Sequence, residues 1–118
     1  MDGEIEPAEL EDRLDDGIRV VDIRNPPAFD HAHIPGSENI PFAQLPQRVE
    51  ALAGADCVVT VCPHGKSSVQ AASLIKSYEG IDDDACVVSL AGGLDAWDGP
   101  LESAHEEQGT DEGPQSPF

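Results

Sequence analysis

Lysine is nearly absent from this chain: Lys66 and Lys76 are its only two, and with the arginines they make 6 cations against 24 Asp and Glu. A formal net charge of -18 excludes the basic footprint with which proteins bind nucleic acid or anionic membranes. Long apolar runs are missing as well. No stretch approaches the roughly 20 residues that cross a bilayer, and the start, Met1-Asp2-Gly3-Glu4, is acidic where a signal peptide would be basic and then apolar. The expectation is a soluble, cytoplasmic protein. Cysteine is scarce: Cys57, Cys62 and Cys86 have no paired spacing, so a disulfide framework is excluded and a reducing compartment suits them.

What is abundant is acid. Glu9, Glu11, Asp12, Asp15, Asp16 and Asp82 to Asp84 spread it through the chain instead of confining it to one block. A surface of this kind repels itself in dilute solution and is tolerated when ions screen it, which points to a salt-loving origin. At 118 residues the chain has room for one domain. We place that domain at residues 1–101. Residues 102–118, polar, acidic and rich in Gly and Pro, read as a disordered tail.

Strands and helices alternate. Pro7 to Leu14 reads as a short helix with Pro at its start and a leucine pair four apart. Ile18 to Arg24 reads as a strand whose exit is marked by Asn25-Pro26-Pro27. A helical turn around Phe29, a turn at His33-Ile34-Pro35-Gly36-Ser37, a brief strand at Glu38-Asn39-Ile40 and a helix from Ala43 to Leu52 follow. Cys57 to Cys62 is a β-branched run, as in a central parallel strand covered on both faces. The spacing of Val69, Ala72, Ile75 and Tyr78, widened by Ala71 and Leu74, predicts a helix from Ser67 to Tyr78 with a broad buried face. Cys86 to Leu90 is another buried strand, and Gly92-Gly93 turns into a short helix ending at Trp97. The pattern is that of an α/β sandwich with a mainly parallel sheet.

In such sheets ligands bind beyond the carboxyl ends of the strands. Asp22 and Arg24, the loop Cys62-Pro63-His64-Gly65-Lys66-Ser67-Ser68, and Ala91-Gly92-Gly93 all fall at that edge. The loop sets Cys62 at a helix N-terminus, where unpaired N–H groups and the helix dipole favour the nucleophilic thiolate. Gly65 permits a tight curl of N–H groups around one point, Ser67 and Ser68 are candidates to cap the helix and add hydroxyl donors, and Lys66 adds a permanent positive charge. A cysteine that ends a buried strand is usually an inert core residue. A glycine-containing loop and a helix start directly after Cys62 weigh against that here.

The remaining candidates read more plainly. Cys57 and Cys86 each begin a buried strand and are expected to be core residues; they would approach each other if their strands are neighbours, and no bond is predicted between them. His31 and His33 lack a third ligand, so no metal is expected, and His33 reads as structural. His64 either tunes the thiolate or is an exposed loop residue. Trp97 reads as a core anchor, and the aspartates at 82–84 as a solvated linker without the ligand spacing of a calcium loop.

Val21-Asp22-Ile23-Arg24, His33-Ile34-Pro35-Gly36-Ser37 with Asn39-Ile40-Pro41, the Cys62 to Ser68 loop, and Gly92-Gly93 with Ala96-Trp97 stand in an order and spacing that resemble the rhodanese-like family. The likeness covers about the first hundred residues and is greatest to the single-domain thiosulfate sulfurtransferases, some of which carry a Cys-x-His-Gly-x-Ser-Ser loop. The resemblance implies a three-layer sandwich with helices on both sides of the sheet, and no cofactor. It also implies that Cys62 takes sulfane sulfur from thiosulfate or another persulfide donor and passes it to cyanide or a thiol. Pro63, His64, Gly65, Lys66, Ser67 and Ser68 would bind the donor with Arg24, and Asp22 would brace the loop. Family loops often carry Arg where this chain has Pro63 and Ser67, which implies a less cationic pocket. A relay module that receives persulfide from a partner protein for cofactor or tRNA thiolation is the alternative. A cysteine phosphatase or arsenate reductase would need a phosphate-clamping Arg near the loop's end, where Ser67 and Ser68 stand. A monomer is expected.

Overall fold

A computed structural model describes residues 3–14 and 16–103. Five parallel strands form one sheet in the order β1-β5-β4-β2-β3: β1 (Glu4–Ile5), β2 (Arg19–Asp22), β3 (Glu38–Asn39), β4 (Cys57–Val61) and β5 (Cys86–Leu90). Among the described residues four α-helices accompany them: α1 (Pro7–Arg13), α2 (Pro26–His31), α3 (Leu45–Arg48) and α4 (Ser67–Lys76). The fold is the expected α/β class with a parallel sheet.

Side chains alternate across a strand, so β4 supplies two cores at once. Val58 packs with Leu45, Val49, Leu52, Ala71 and Ile75 from the α3 and α4 side, and Cys62 joins this cluster. Val59 and Val61 face the other way, onto Leu10 of α1, Ile34 and Trp97. Val58, Val59 and Val61 have no solvent exposure. At about 1.5–3 kcal/mol for each such side chain, β4 is the element the sheet least tolerates losing.

Several expectations are corrected. The helix expected from Ala43 to Leu52 is instead a 3-10 turn at Phe42–Gln44, α3, and a second 3-10 turn at Val49–Leu52. Pro46 has no N–H to donate, and its ring obstructs the carbonyl of Phe42, so one regular helix cannot run through it. The apolar face still forms, through Leu45, Val49 and Leu52. Val69, placed by its spacing in the buried stripe of α4, is exposed at that helix's first turn. α4 ends at Lys76, and the N–H groups of Ser77 and Tyr78 still bond back to Ser73 and Ile75. Strand β1 was not anticipated, since two residues carry no readable alternation.

Cys86 is exposed and Cys57 half-buried, so neither is a closed core residue. Both start their strands, at the sheet's N-terminal edge. Glu102, the residue after the boundary placed at 101, forms an antiparallel bridge with His33, with N–H to O distances of 2.8 and 2.7 Å. The rest of the expected disordered tail, from residue 104, lies outside the described residues.

Candidate active site

The chain leaves β4 and turns sharply before α4, and that turn encloses the Cys62 sulfur. Gly65 N–H donates to Sγ at 3.0 Å and Ser68 N–H at 3.3 Å, while the Ser68 hydroxyl is hydrogen-bonded to it at 3.3 Å. Burial alone would push this thiol up. The Ser68 hydroxyl and N–H, then the N–H groups of Gly65 and His64, outweigh it and hold the Cys62 pKa below its ordinary value. The thiolate is therefore favoured by the Ser68 hydroxyl first and by the backbone N–H groups after it.

The curl depends on glycines that meet face to face. Gly65 has φ +84°, and a Cβ there would stand 2.9 Å from Gly92 N and 3.0 Å from Gly93 N. Gly93 has φ +65°, and a Cβ on it would meet the Cys62 carbonyl and lie 2.5 Å from Gly65 N. The turn after β5 thus lies directly behind the thiol loop, backbone on backbone. It continues into a 3-10 turn at Gly93–Ala96, not an α-helix, and Trp97 closes it as a buried anchor whose Nε1 donates to Pro100 O at 2.9 Å.

The other expected site residues divide. Arg24 lines the cleft of about 330 Å³ that opens over Cys62, together with Ile23, Asn25, Ala28, Phe42, Pro63 and Ser67. Its guanidinium is held by Asp22 through Nε at 2.9 Å and Nη2 at 2.8 Å, and Nη2 also donates to Ala32 O. Asp22 is 1% exposed, and its carboxylate also accepts from Arg24 N–H at 3.0 Å. Asp22 therefore braces Arg24, where the resemblance implied bracing of the loop. Asn39 fixes the same exit by donating to the carbonyls of Asp22 and Arg24, both at 2.9 Å.

Ser67 and Ser68 do not cap α4: Lys66 occupies the N-cap position without a side-chain cap. Ser68 is fully buried and turned to the sulfur, whereas Ser67 is exposed and faces the cleft. Lys66 is exposed. His64 is exposed too, and its Nδ1 lies 2.7 Å from Asp95 Oδ2. His33 is structural: it is buried, its ring stacks on Phe29 at 3.8 Å, and its Nδ1 lies 2.7 Å from Phe29 O.

Sequence reasoning missed Asp95 and the cleft wall formed by Asn25, Ala28 and Phe42. Their only signal was position, since all lie just after a strand's carboxyl end. Together these features place a buried thiol at the carboxyl edge of a parallel sheet, with N–H groups around its sulfur in an arrangement suited to an anion.

Comparison with known proteins agrees. The Rhodanese-like domain family matches residues 6–99, and the chain belongs to that family. It is 36% identical over 96 residues to the thiosulfate sulfurtransferase GlpE of Pseudomonas aeruginosa, covering 79% of this chain and 81% of that one. To the protein of the same name from Pseudoalteromonas translucida it is 35% identical over 100 residues, covering 85% and 86%. A rhodanese-related protein from Thermoplasma volcanium superimposes with a TM-score of 0.72 at 23% identity, over 84% of this chain and 96% of the other. A crystal structure of a thiosulfate sulfurtransferase from Pseudomonas aeruginosa gives 0.73 at 27% identity, over 87% of this chain and 20% of that longer one. Among the described residues no helix is long and apolar enough to cross a membrane.

Proposed function

We propose that the protein is a sulfurtransferase of the thiosulfate (rhodanese) type working in a salt-rich cytoplasm. The Cys62 thiolate attacks the sulfane sulfur of thiosulfate, the S–S bond breaks, and sulfite leaves with the bonding electron pair. The sulfur stays on Cys62 as a persulfide. Cyanide or a thiolate then attacks the terminal sulfur, carries it away as thiocyanate or a new persulfide, and returns the Cys62 thiolate. The observation that carries this reading is the set of N–H groups converging on Sγ, which favours the attacking thiolate and then the persulfide anion. The open cleft admits a small anionic donor, and Arg24 on its wall is the nearby cation, partly neutralised by Asp22.

Intact mass of the reduced protein after thiosulfate in molar salt tests it. A gain of one sulfur that maps to Cys62, is lost on adding cyanide and is absent from Cys62→Ser is the expected result. No gain on the folded protein overturns thiosulfate as donor and transfers the weight to relay from a protein persulfide.

A further inference from the structure

Cys57 and Cys86 are register partners on adjacent parallel strands, at the first rung that joins β4 to β5. Both strands alternate in step. Cys57 shares its face with Val59 and Val61, Cys86 shares its face with Val88 and Leu90, and all four of these side chains pack in the cluster covered by α1. The two thiols therefore project from the same face of the sheet. Strands in a sheet lie about 4.8 Å apart, within the roughly 4.4–6.8 Å between Cα atoms that a disulfide spans. Both cysteines are free, one exposed and one half-buried. Burial and the neighbouring Cys86 thiol push Cys57 up to about 12, with the Arg13 guanidinium acting the other way. The pair stands about 16 Å from Cys62, the length of β4, and on the opposite edge of the sheet. It is outside the catalytic cleft and does not depend on the function assigned there.

We propose that Cys57 and Cys86 form a second reactive site, a dithiol that a low-molecular-weight disulfide converts to a bridge between β4 and β5. Exposed Cys86 is the point of entry. Its thiolate attacks one sulfur of the small disulfide and expels the other as a thiolate, leaving a mixed disulfide. Cys57 gives up its proton and attacks Cys86 Sγ, and the second small thiol leaves. The two cysteines lose two electrons and two protons in all, and the small disulfide is reduced to two thiols. The bridge ties together the two strands whose far ends carry the Cys62 loop and the Gly92-Gly93 turn.

The test uses the full chain with Cys62→Ser, so that Cys57 and Cys86 are its remaining thiols, incubated with glutathione disulfide, quenched with an alkylating agent and digested without reduction. The expected product is a Cys57–Cys86 linked peptide pair within one chain, retaining no glutathione, with a melting temperature several degrees higher that reverts on reduction. Adding Cys57→Ser should leave one glutathione on Cys86. The same map on the wild-type protein guards against a folding defect of the variant. A lasting glutathione on Cys86 beside an alkylatable Cys57, two untouched thiols, or Cys86 linked between two chains would each overturn the proposal.

Discussion

The Leu94 N–H donates to the carbonyl of Cys62 at 2.8 Å, and one residue along, the Asp95 N–H donates to Pro63 O at 3.0 Å. These bonds hold the turn after β5 against the turn after β4. The position of Cys62 is thereby set by a second strand's exit as well as by its own.

Gly93→Ala should consequently damage both stability and activity. The added methyl meets the Cys62 carbonyl and the Gly65 and His64 nitrogens at a φ of +65°. Backbone strain of about 1 kcal/mol and overpacking of about 1–3 kcal/mol both act against the fold. Melting should fall by roughly 4 °C or more and turnover with it. A variant with unchanged melting would show that the two turns separate without cost.

Ser68→Ala removes the leading contact that holds the Cys62 pKa down. Because the thiolate is the reactive form, the wild-type alkylation rate should climb with pH and have its midpoint below that of an ordinary cysteine. In the variant the rise should move to higher pH, and the rate at pH 7 should drop about tenfold, as expected for a lost hydrogen bond to a charged group. Iodoacetamide kinetics across pH check this, and superimposable profiles would assign the effect to the backbone alone.

Asp22→Asn leaves the Arg24 guanidinium, whose side chain is 12% exposed, without its counter-charge. Breaking a buried pair from one side costs about 3 kcal/mol or more. Urea unfolding should show the unfolding free energy falling by that amount, read as a lower midpoint at unchanged slope. A loss under about 1 kcal/mol would mean that cleft water already screens the pair.

Activity should rise with salt. At a net charge of -18 the protein repels thiosulfate in dilute buffer, whereas near 1 M salt the screening length is about 3 Å and the donor meets the N–H ring of the loop. The second-order rate constant should rise about tenfold from dilute to molar salt. A flat or falling rate with the fold intact would overturn the screening argument.

The central strands and the thiol loop were legible because their signals are local. β-branched runs at Cys57 to Cys62 and Cys86 to Leu90, and a glycine three residues after Cys62, act on their own neighbours. What escaped depends on partners distant in sequence. Strand β1 exists only through pairing with Ser89 and Leu90. The exposure of Cys86 depends on what packs over the start of β5, and Asp22 bonds Arg24 two residues on, where the chain bends. Ser67 and Ser68 fit a capping pattern, yet Ser68 is drawn to the sulfur and Lys66 takes the cap position. Pro46 is visible in the sequence and is what divides the stretch from Ala43 to Leu52.

The outermost strands, Glu4–Ile5 and Glu38–Asn39, offer only two residues each on their free sides. Molar salt removes the mutual repulsion of the acidic surfaces, so charge no longer keeps copies of the domain apart. Edges this short give an incoming chain almost no template on which to extend the ladder. At molar salt the shortness of these two edges, and no longer charge, is what opposes edge-to-edge joining of the sheets.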